Sequence, residues 1–135
     1  MSEVLDILLG GTARNVAKDL PEKDFKMLRL SREIGKDVVF KLRALPYSRT
    51  AELASMPDMD VMVVLDGVAS PDLRDTRLAA KYGVLPEGGQ WGDRGATPPD
   101  LVKAMFLPGE IKEISTRVQM LSGYQTATLR EVKKN

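Results

Sequence analysis

The sequence predicts an α+β fold, a mainly helical single domain with an N-terminal β-hairpin at about residues 24–45 followed by a helical C-terminal part. Three observations predict it. Residues 37–45 alternate apolar and polar side chains, as a half-buried strand does. Ile111, Ile114, Val118 and Leu121 recur at helical spacing and form one apolar stripe. The 135-residue length, with 43% hydrophobic and 29% charged residues, suits one globular domain that buries a core without metals or disulfides. Only 5% of the residues are aromatic, so that core is largely aliphatic.

From the N-terminus, Val4-Leu5-Asp6-Ile7-Leu8-Leu9 is apolar and stops at Gly10-Gly11, which predicts one or two helical turns with a glycine stop. The chain is then polar as far as Leu20-Pro21. An apolar tip on a glycine hinge reads either as a mobile docking arm over residues 1–20 or as a frayed terminus. Residues 24–30 predict a strand, with Phe25, Met27 and Arg29 on one face. The alternation is not clean, so both faces are expected to be partly covered. In residues 37–45, Val38, Phe40, Leu42 and Ala44 point one way and Val39, Lys41 and Arg43 the other. Ser31 to Lys36, with Gly35 near its end, is the longer loop of the hairpin.

After Pro46, residues 47–56 carry good helix formers and Pro57 stops them. Val61-Met62-Val63-Val64-Leu65 reads as a buried strand or a buried helical turn; periodicity does not decide, and the flanking helices favour helix. Ser70-Pro71-Asp72-Leu73 is turn-like. Asp75 caps a short helix through Tyr82, which Gly83 ends. Residues 84–96, rich in glycine and holding the sole tryptophan, Trp91, form a flexible loop. Thr97-Pro98-Pro99-Asp100 opens a short helix through Phe106, with Pro98 at its first position and Asp100 where a capping-box acid belongs. Leu107-Pro108-Gly109-Glu110 restarts a longer helix that Gly123 ends. Residues 21–124 thus make up the domain, and 125–135 a flexible, polar tail that is basic at its end.

Composition excludes several functions. There are no cysteines and no histidines, which removes thiolate chemistry and the usual neutral-pH acid/base and metal ligand. A formal net charge of +1 offers no basic footprint for nucleic acid. No stretch is apolar enough to span a bilayer, and the acidic N-terminus is unlike an export signal. Asp66, after an apolar run, suggests a nucleotide enzyme's magnesium ligand, but no phosphate-binding loop accompanies it. Asp58, Asp60 and Asp66 lack the spacing of a calcium loop. No catalytic, cofactor or metal residue is therefore expected, and the residues point to a protein that binds protein. Candidate partner-binding residues are Val4, Leu5, Ile7, Leu8 and Leu9 in the arm, Met59 and Met62 in a methionine-rich stretch, and Trp91. Methionines form adaptable surfaces or fill gaps in an aromatic-poor core. A lone tryptophan anchors an interface or folds back onto the core.

Ordered stretches across nearly the whole chain resemble one family. They are Leu20-Pro21-Glu22-Lys23, Arg29-Leu30-Ser31, Asp37 through Leu45, and Asp66-Gly67-Val68 with Ser70-Pro71-Asp72-Leu73. Lys81-Tyr82-Gly83, Leu107-Pro108-Gly109-Glu110-Ile111 and Leu121-Ser122-Gly123-Tyr124 complete the set. Together they are similar to the XkdN-like phage tail assembly chaperones of long-tailed phages and defective prophages of Gram-positive bacteria. The glycine-rich loop 85–96 departs from the pattern, being longer than the family's usual link. The resemblance implies a protein that coats the tape measure protein and keeps it soluble while tail tube protein polymerises. It implies action in the bacterial host's cytoplasm, self-association, absence from the mature virion, and no catalytic residues. It also raises a frameshift-extended form, for which Lys133-Lys134-Asn135 can be encoded by an A-rich run. The competing reading is a structural tail component, a tube-end or adaptor protein retained in the virion.

Overall fold

The computed structural model describes residues 3–125 and 127–133; Lys134 and Asn135 of the expected basic tail lie outside the described residues. The elements in order are α1 (Glu3–Gly10), β1 (Glu22–Lys26), α2 (Leu28–Ile34), β2 (Val39–Arg43), α3 (Tyr47–Leu53), α4 (Met59–Gly67), β3 (Val68–Ser70), α5 (Thr76–Lys81), a 3-10 turn (Asp93–Gly95), α6 (Pro98–Met105) and α7 (Pro108–Leu121). The fold is α+β, with helices packed on a small antiparallel sheet of order β1-β2-β3.

The N-terminal hairpin forms, with two corrections. The first strand ends at Lys26 rather than continuing to residue 30. Met27 is the switch: its N–H still donates to Val38 O at 2.8 Å, while its own carbonyl already accepts from Ser31 N–H at 2.9 Å. The residues expected to loop out are therefore largely helix, α2, closed by Gly35 at φ 83°, a left-handed conformation that glycine adopts without penalty. Buried Ser31 accepts from Val38 N–H at 2.9 Å and ties the end of α2 to the approach of β2. The register pairs Glu22 with Arg43 and Phe25 with Phe40, and Phe40 and Leu42 point into the core as expected.

The second correction is a third strand. β3 follows α4 directly and pairs antiparallel with β2, with a register irregularity between Lys41 and Leu42. It places β2 in the centre and leaves β1 at an edge. β1 carries Glu22, Lys23, Asp24 and Lys26, and charges of this kind on an edge strand oppose pairing with another sheet.

The ambiguous 58–68 segment is the helix α4, and its lack of periodicity has a structural cause. Val61, Val63, Val64, Leu65 and Gly67 are all buried, because α4 packs on α3, α6 and α7 and runs into the sheet through β3. A helix covered on most sides carries no apolar stripe. Around it sit Leu101 and Val102 of α6, Ile114 and Val118 of α7, Leu53 of α3, and Phe40, whose ring meets Phe106 edge-on at 5.8 Å. The α7 stripe falls as expected, with Ile114 and Val118 buried and Ile111 and Leu121 half-buried.

Candidate partner-binding surfaces

α1 collects five candidate residues on one short element. Val4, Leu5, Ile7, Leu8 and Leu9 are 63%, 46%, 65%, 63% and 75% exposed, and α1 has no buried residue. At helical spacing Val4, Leu5, Leu8 and Leu9 share one broad face, and Glu3, Asp6 and Ile7 share the other. Eight residues make a marginal helix in water, so a partner that covers this face also stabilises the helix.

Beyond α1, residues 11–19 are exposed and contain a turn built on Asn15. The Asn15 carbonyl accepts from Lys18 and Asp19 N–H at 3.1 Å and 2.8 Å, and its side chain accepts from Ala17 N–H at 3.0 Å. Val16, Ala17 and Leu20 line an apolar groove with Leu45, Tyr47 and Tyr124. The base of the arm thus borders a groove on the domain just before β1.

The other candidates are placed inward. Met59 and Met62 are half-buried and pack against the core from α4. Trp91 also packs against the core, and its Nε1–H donates to Arg74 O at 2.8 Å. The loop around it is a succession of turns rather than open chain: Gln90 N–H donates to the Asp93 carboxylate at 2.9 Å and Gly92 N–H to Ala96 O at 2.9 Å. Met59, Met62 and Trp91 are thus half-buried against the core, whereas the five α1 candidates are exposed.

The acidic residues weighed as ligands are held by cations and hydroxyls. Asp58 meets Lys103 at 2.8 Å, and Asp60 accepts from the Ser115 hydroxyl at 2.6 Å with Lys112 at 3.5 Å. Asp66 lies near the C-terminal end of α4, where a negative charge is unfavourable. Arg49 and Arg74 both donate to its carboxylate and offset that cost.

A cleft of about 300 Å³ opens between edge strand β1 and α7. Its apolar surfaces are Phe25, Met27, Leu28, Leu42 and Ile114, and Leu28 is 64% exposed. One end is closed by Arg29, which reaches from α2 to the start of α7. Its Nε donates to both Glu110 oxygens at 3.1 Å and its Nη2 to Met105 O at 2.9 Å. Burial pushes the Glu110 carboxyl up, but hydrogen bonds from Arg29 and Leu107 N–H together outweigh it and hold it below the usual range. The same pairing holds the Arg29 guanidinium above its ordinary value. Along the rim, the Lys23 ammonium and the Arg117 guanidinium lie 5.9 Å and 5.7 Å from the Phe25 ring centroid, within cation–π range. Sequence reading missed this cleft because Phe25, Leu42 and Ile114 are far apart in the chain. The one local sign was the imperfect alternation of residues 24–30, where strand turns into helix.

Comparison with known proteins places this architecture. A model of the phage XkdN-like tail assembly chaperone proteins matches residues 6–134. No curated protein matches the chain. Among solved structures, the crystal structure of the protein YqbN is similar in fold, with TM-score 0.53 at 12% identity, covering 85% of this chain and 99% of that one. Because the family match runs through almost the whole sequence, from α1 to the C-terminal tail, the chain belongs to the family of phage XkdN-like tail assembly chaperones.

Proposed function

We propose that this chaperone binds the tape measure protein of its own tail and keeps it soluble while tail tube protein polymerises around it. It acts by binding alone, in the cytoplasm of the bacterial host, and leaves before the virion is complete. Family membership supports the tail-assembly role. The observation that carries the binding role is α1, an apolar helix with no buried residue. Burying a Leu or Ile contributes about 1.5–3 kcal/mol, so a partner that covers several of these side chains gains enough to order the arm.

Co-expression with the tape measure protein from the same tail gene cluster, followed by co-purification, tests the proposal. Expected is a soluble complex, with the tape measure insoluble when expressed alone. Deletion of residues 1–11 is expected to lose that complex. Failure to form any complex, with the chain instead retained in purified tails, supports the structural tail component and sinks the chaperone reading.

A further inference from the structure

We draw no further inference here: the strongest candidate, the slot-like cleft between β1 and α7 with Phe25, Met27, Leu28, Leu42 and Ile114 as its apolar surfaces, carries none, because nothing in the structure shows what covers it.

Discussion

At the scale of single residues, the tightest constraint is at Gly67, where α4 crosses α7. A Cβ there would stand 2.5 Å and 2.7 Å from the methyl carbons of Val118. Gly67→Ala is therefore expected to destabilise by about 1–3 kcal/mol through overpacking. Val118→Ala is expected to cost less in that background than alone, and a double-mutant cycle by urea unfolding reads the coupling directly. Arg29 is a second such point, since its planar fork serves Glu110, Glu33 and Met105 O at once. Arg29→Met strips partners from the half-buried Glu110 carboxylate and is expected to cost about 1–3 kcal/mol. Arg29→Lys recovers only part of this, because an ammonium cannot reproduce the fork. Asp75 gives a pH prediction. The Arg77 side chain and backbone N–H hold its carboxyl at about 2, against an ordinary 3.8. A folded value below the unfolded one stabilises fully above the unfolded value, and that contribution is lost as pH falls through the folded one. Thermal melts of Asp75→Asn should lose less stability than wild type between about pH 4 and 2; parallel curves would show that the pairing does not act.

At the scale of elements, local chemistry explains some segments and tertiary packing the others. The start of α6 is local: the Asp100 carboxylate accepts from Thr97 N–H at 2.8 Å and from the Thr97 hydroxyl at 3.1 Å. Asp100→Ala is expected to cost about 0.5–2 kcal/mol, read as a lower unfolding midpoint with an unchanged slope. Glu110 does the same for Leu107 N–H at 2.7 Å, although leucine has no side-chain acceptor with which to reciprocate. These starts, the Asp75 cap, the Gly83 stop and the α7 stripe were legible because each signal lies within a few residues. β2 was legible because one of its faces is buried and the other is not. α2 was not: Met27-Leu28-Arg29-Leu30 has no capping residue before it, and its helix is fixed by Ser31 holding Val38 and by Arg29 reaching α7. β3 is too short for alternation to register and exists because β2 offers an open edge where α4 ends. Of the candidate surfaces, α1 was legible as an apolar run between polar neighbours. The β1–α7 slot was not, being assembled from segments that only the fold brings together.

At the scale of the whole molecule, the proposed client surface lies apart from the buried core. The core centres on α4 and its neighbours, and among the described residues every buried one lies between Met27 and Val118. α1 contributes no buried side chain to it, and the arm's base meets the domain through a shallow groove. Removing residues 1–11 therefore takes away apolar surface without opening a cavity, the usual source of large losses. The truncated chain is expected to unfold within about 1–2 °C of the full one, since α1 buries no side chain and a shift of that size corresponds to well under 1 kcal/mol. The same truncation is expected to abolish recovery of soluble tape measure protein, because it removes the face that a client would cover. The two readouts together are decisive where either alone is not. A large fall in midpoint would mean that α1 supports the fold, so that lost binding reports unfolding rather than recognition. An unchanged midpoint with undiminished tape measure recovery would move the client surface off the arm, onto the domain between β1 and α7.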